Sequence, residues 1–182
     1  MKNWLTLASI GVAAGFVGSA IADDIQNPDR QKSTFRAELV GLNEVPSVST
    51  AAHGEFSAQL NAEGNELTYT LSFSNLTADV SQSHIHFGQH HTNGGIIVWL
   101  CEGSLQAPTA STPACGGTRT STVTGVISSA EVIGPAGQGI GPTEFAELLA
   151  AMRAGAAYAN VHTTATAPAI AFPGGEIRGQ IN

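Results

Sequence analysis

Apolar residues in this chain recur with a period of two, over stretches too short for helices, and turn-forming residues separate the stretches. In "TFRAELV" (34–40), Phe35, Ala37 and Leu39 share a face; "EFSAQLN" (55–61) repeats the pattern with Phe56, Ala58 and Leu60. "ELTYTLSF" (66–73) aligns Leu67, Tyr69, Leu71 and Phe73, and Gly64-Asn65 before it predicts a hairpin turn. Alternation of this kind marks a strand with one side in a core, because successive side chains point to opposite faces. Five further segments follow: "SHIHF" (83–87), "GIIVWL" (95–100), "TSTVTGVI" (120–127), "AYANVHT" (157–163) and "GEIRGQI" (175–181). Eight short strands punctuated by Gly, Pro and Asn predict an all-β chain, an antiparallel Greek-key β-sandwich.

One helix interrupts the strands. "GPTEFAELLAAMRAG" carries Pro142 near the first helical position, Glu144 in the first turn and Gly155 as a stop. Phe145, Leu148, Leu149 and Met152 form an i, i+3, i+4, i+7 stripe. The spacing predicts a helix near residues 142–154, packed on the sandwich by that stripe.

The N-terminus reads as an export signal. Lys2 precedes the apolar run "WLTLASIGVAAGFVGSAIA", and Ala20-Ile21-Ala22 supplies a small-x-small cleavage pattern before polar "DDIQNPDR". The expected organisation is a signal peptide over 1–22, a flexible lead-in over 23–33 and one domain over 34–182, in a periplasmic or secreted protein. A membrane anchor is the competing reading, since the run approaches bilayer length. No later stretch is apolar enough to cross, so no membrane partner is expected after cleavage. Cleavage removes Lys2 and no acid, leaving six Lys+Arg against 14 Asp+Glu. Such an acidic chain is a poor match for nucleic acid, whose phosphates reward clustered Lys and Arg. Cys101 and Cys115 flank an aperiodic loop, and an exported chain meets oxidising conditions, so a disulfide is expected between them.

The chemistry-bearing residues are histidines. Of six in the chain, four crowd into "SHIHFGQHH". His84 and His86, two apart on a strand, share a face, while Ile85 and Phe87 take the other. In "YANVHT", Tyr158, Asn160 and His162 share a face opposite Ala159 and Val161. Two strands brought side by side would converge His84, His86 and His162 into a mononuclear metal site, with His90 or His91 of the following turn as a fourth donor. Neutral imidazoles suit copper, with zinc the less favoured ion. The plain alternative is a solvated polar strand face that holds no metal. His53 has no visible partner. Hydrolase chemistry finds no support: there is no Gly-x-Ser-x-Gly, no phosphate-cradling loop with Lys and no pair of carboxylates.

The strings "FRAELVGLNEVP", "SHIHFG" with "NGGIIVWL", "GAAYANVHT" and "PGGEIRGQI" appear in an order and spacing that resembles the chordin-type (CHRD) domain family over residues 34–182. That resemblance implies a secreted β-domain, and structural roles in turns or hydrogen bonding for Glu44 and Glu176. More distantly, "HIHFG" and "YANVHT" are similar to the copper-binding strands of copper/zinc superoxide dismutase, with "GGEIRGQI" in the place of its closing strand. The likeness implies copper ligation by His84, His86 and His162. It also departs from that enzyme: the zinc-bearing loop has no counterpart, and the anion-guiding position falls near Gly175 and not on Arg178. The expected function is an exported copper-binding protein. A copper-only dismutase-like redox enzyme and a metal-free extracellular interaction or structural module are the alternatives. A homodimer or another protein partner is left open.

Overall fold

In the computed structural model, residues 32–164 and 169–182 are described. The expected signal peptide (1–22) and nearly all of the lead-in lie outside the described residues. Eight strands follow in chain order: β1 (Thr34–Val40), β2 (His53–Leu60), β3 (Leu67–Ser74), β4 (Asp79–Phe87), β5 (Gly95–Glu102), β6 (Ser121–Ile127), β7 (Ala157–Thr164) and β8 (Ile177–Gln180). They form one antiparallel sheet in the order β5-β4-β7-β8-β1-β2-β3-β6. The links from β3 to β4 and from β6 to β7 therefore jump between halves of the sheet, as a Greek key requires.

The sheet folds over on itself. Tyr69 on β3 donates its hydroxyl to the Leu100 carbonyl of β5, and the Ile133 amide beyond β6 bonds Ile97 O of β5 at 2.9 Å. The apolar faces meet inside. Phe35, Leu39, Phe56, Leu67, Leu71 and Phe73 from one half pack with Ile85, Val98, Val161 and Ile177 from the other, all at most 2 % exposed. The alternation that predicts the strands thus also predicts this inward face. Cys101 and Cys115 form the expected disulfide, tying β5 to the segment ahead of β6.

The β2–β3 hairpin turns through Asn61–Glu66, where Asn61 N bonds Glu66 O at 2.9 Å and Gly64 takes a left-handed φ of 73°. Helix α1 spans Phe145–Arg153, and its predicted stripe of Phe145, Leu148, Leu149 and Met152 is buried. It starts three residues after Pro142, later than the sequence suggests. Thr143 has a left-handed φ of 69°, which breaks the helical path before Glu144. Gly155, with φ of 64°, ends the helix, its amide bonding Met152 O at 3.2 Å.

One feature of the sheet departs from a simple sandwich. β7 is buried on both faces except at Thr164, although five of its eight residues are polar or aromatic-polar. Its inner face meets the core. Its outer face lies under three segments that join strands: 41–52, 88–94 and 169–175.

Candidate metal centre

Strand register builds the site. β4 and β7 place Gln82 opposite His162, His84 opposite Asn160, and His86 opposite Tyr158. Directly opposed residues of an antiparallel pair share a face. β8 extends the same face with Arg178 opposite Asn160 and Gln180 opposite Tyr158, and β5 sets Trp99 opposite His84. Two register shifts in the β4–β5 pairing flank this stretch, between Ser83 and His84 and between Ile85 and His86. Bulges of this kind locally re-aim side chains.

One nitrogen each from His84, His86 and His162 lies within 4.8 Å of the others. The three residues are 1 %, 8 % and 6 % exposed. Backbone carbonyls fix two of the rings. His86 Nδ1 donates to Gly94 O at 2.8 Å, which leaves its Nε2 as a lone pair, buried and without a partner. His162 Nδ1 donates to Pro173 O at 3.0 Å, and its Nε2 turns inward to 3.1 Å from His84 Nδ1. His84 itself packs edge-on against Trp99, with ring centroids 4.4 Å apart, and its Nε2 has no hydrogen-bond partner.

Burial keeps these rings neutral. It is the largest cause pushing His84 far below the ordinary imidazole range, with the His162 and His86 rings adding to it. His86 is brought down to about 4, mainly by burial, while its bond to Gly94 pulls the other way. His162 is lowered by burial too, against its bond to Pro173. A neutral imidazole oriented by a carbonyl at one nitrogen is a prepared ligand at the other. Buried lone pairs without donors cost free energy unless something electropositive meets them. The residues present fit a metal ion.

The surroundings hold this arrangement in place. Tyr158 stacks flat on His86 (4.9 Å, 3°), and the Arg178 guanidinium lies 3.4 Å from the centre of the Tyr158 ring on its π-face. Arg178, 2 % exposed, donates to Gln89 O at 3.0 Å and Thr92 O at 2.8 Å, clamping the 88–94 segment that carries Gly94. Glu176 is fully buried; it accepts from the Thr50 and Thr163 hydroxyls and the Thr77 amide, drawing three distant segments together. Glu44 is also buried, 6 % exposed, and burial pushes its carboxyl up to about 7 against the Arg178 charge, the Val45 amide and Asn160. The placement of Glu176 fits the hydrogen-bonding role expected of it, while Glu44 is buried with its Oε1 unpartnered.

His90 and His91 are exposed on the 88–94 segment, their rings 5.9 Å apart, outside the buried cluster. His53 faces solvent on β2 and meets Ser74 Oγ at 2.9 Å across the β2–β3 pair.

The CHRD-domain family model matches residues 35–181. The chain belongs to the CHRD-domain family. No curated protein and no solved structure matches it. The likeness to superoxide dismutase therefore rests on its short strings alone. Within this CHRD domain, all five strings that suggest the family contribute to one place. "SHIHFG" and "YANVHT" supply the imidazoles, "NGGIIVWL" supplies Gly94 and Trp99, and "PGGEIRGQI" supplies Pro173, Glu176 and Arg178. Glu44, from "LNEVP", covers them. Spacing puts Tyr158 on the His162 face but gives it no role, and it does not single out Gly94 or Arg178, since each of the three acts through a neighbour and offers the ion no ligand atom.

Proposed function

We propose that this CHRD-domain protein is exported and holds a single copper ion through His84, His86 and His162. The observation that carries the reading is the convergence of three buried neutral imidazoles, two of them turned inward by backbone carbonyls. Three nitrogen donors with no thiolate or thioether favour Cu(II) over neighbouring divalent ions, with zinc next. Bound copper would supply one-electron redox chemistry at this position. The chain's own residues orient the ligands, exclude water and keep protons off the inward nitrogens. The disulfide supports an oxidising compartment, and among the described residues no helix is long and apolar enough to cross a membrane.

Holding the ion fits the geometry better than dismutation does. Nearly complete burial of all three imidazoles leaves little approach for a substrate, and Arg178 is engaged by Gln89, Thr92 and Tyr158 instead of facing outward.

The chain has two tryptophans, Trp4 in the expected leader and Trp99 against His84. Protein lacking residues 1–22 therefore carries a single tryptophan, beside the site. Titration with Cu(II) quenches Trp99 fluorescence with a 1:1 endpoint, and zinc competes without quenching. His84→Ala with His86→Ala removes the response. Equal quenching in that double variant would refute the site, and a folded protein that takes up no metal would favour the metal-free module.

A further inference from the structure

Asn160 stands on β7 opposite His84, 2 % exposed, with Oδ1 at 3.0 Å from His162 Nε2. That contact is not an ordinary hydrogen bond. The single proton of neutral His162 is committed at Nδ1 to Pro173 O, so Nε2 and Oδ1 are two acceptors facing each other. Turning the amide over would cure the clash only by aiming its oxygen at Glu44. The Glu44 carboxyl lies beside the Asn160 side chain, and a carboxylate there favours the NH2 end of the amide over its oxygen end. Space for the Glu44 carboxyl is kept by Gly175, where a Cβ would stand 2.4 Å from Oε1. The oxygen end of Asn160 is thus held toward the imidazoles, and its side chain also faces the His86 ring.

The separations around His162 Nε2 suit donors that share one ion. Two donors each about 2.1 Å from one ion lie about 3 Å apart at right angles and about 3.4 Å apart at the tetrahedral angle. His162 Nε2 to Asn160 Oδ1 is 3.0 Å, and His162 Nε2 to His84 Nδ1 is 3.1 Å. We propose that Asn160 Oδ1 is the fourth donor of the metal centre. The proposal rests on the three-histidine reading. It replaces His90 and His91, which stay at the surface, as the source of the fourth donor.

The test compares Cu(II) affinity, by competition with a chelator, and the Cu(II) electron paramagnetic resonance spectrum across wild type, Asn160→Leu and Asn160→Asp. Asn160→Leu keeps the bulk and loses the donor. It still binds one copper, at least tenfold more weakly, with shifted parallel g and hyperfine values. Asn160→Asp restores an oxygen donor and binds at least as tightly as wild type. A leucine variant matching wild type in both affinity and spectrum overturns the assignment while leaving the histidines in place. Should Asn160→Leu fail to fold, Asn160→Asp decides: an added charge on the donor must change the spectrum, and an unchanged one overturns the proposal. A folded wild type that binds no copper overturns both this assignment and the reading beneath it.

Discussion

Gly94 shows at the scale of one residue how closely the centre is built. A Cβ there would stand 1.7 Å from the Phe87 carbonyl oxygen, and the Gly94 carbonyl is the acceptor that sets the His86 tautomer. Gly94→Ala must move backbone on one side or the other. It is expected to cost about 2–4 kcal/mol and to weaken copper binding, measured by thermal melts and chelator competition. Protonation offers a second test. His86 titrates near 4 when folded and near 6.5 when unfolded. The unfolded chain therefore binds the extra proton first. Stability present above pH 6.5 is lost as pH falls toward 4, on the order of 3 kcal/mol from His86 alone. His84 and His162 shift in the same direction. Glu44, raised to about 7, works the other way, because the folded protein takes up its proton first. Three imidazoles against one carboxyl predict a melting temperature for the metal-free protein that drops between pH 7 and 4. His86→Gln flattens part of that slope.

Among the elements, the 88–94 segment and β8 are coupled through Arg178. Arg178→Met keeps the length of the side chain but strips the donors from Gln89 O and Thr92 O and the cation from the Tyr158 face. A loss of about 2–4 kcal/mol is expected, with faster amide hydrogen exchange across 88–94. Period-two alternation finds most of the strands, because their inner faces are apolar, while β5 shows as the continuous apolar run "GIIVWL". It failed where that rule fails. β4 begins at Asp79, not at 83, because a register shift between Val80 and Gln82 interrupts the alternation of "DVSQ": Val80 joins the core and Gln82 pairs with His162. The shared face of His84, His86 and His162 followed from parity and strand pairing. Its cover did not, because Gly94, Pro173 and Glu44 arrive from three separated loops through backbone carbonyls and a carboxyl. Nothing in local spacing encodes those meetings. The β4–β5 register shifts were hidden for the same reason, as they arise from pairing and not from either strand by itself.

At the scale of the molecule, the sheet brings its two ends together by packing, by the Tyr69–Leu100 bond and by the Cys101–Cys115 disulfide. A covalent tie across 14 residues is worth about 3 kcal/mol on the chain-entropy account. Replacing both cysteines with serine should lower the melting temperature by several degrees, and reductant should do the same to wild type but nothing further to the variant. Copper binding should survive this change under conditions where the fold does, since the imidazoles belong to β4 and β7 and not to the tied segment. On the reading proposed, two strands far apart in sequence hold one ion between three buried rings. Anomalous diffraction at the copper edge, from crystals of the protein loaded with one equivalent of Cu(II), tests it most directly. One strong peak bounded by His84, His86 and His162 is expected; a peak at the exposed His90–His91 pair, with none in the buried cluster, would show that the three buried rings do not hold the ion.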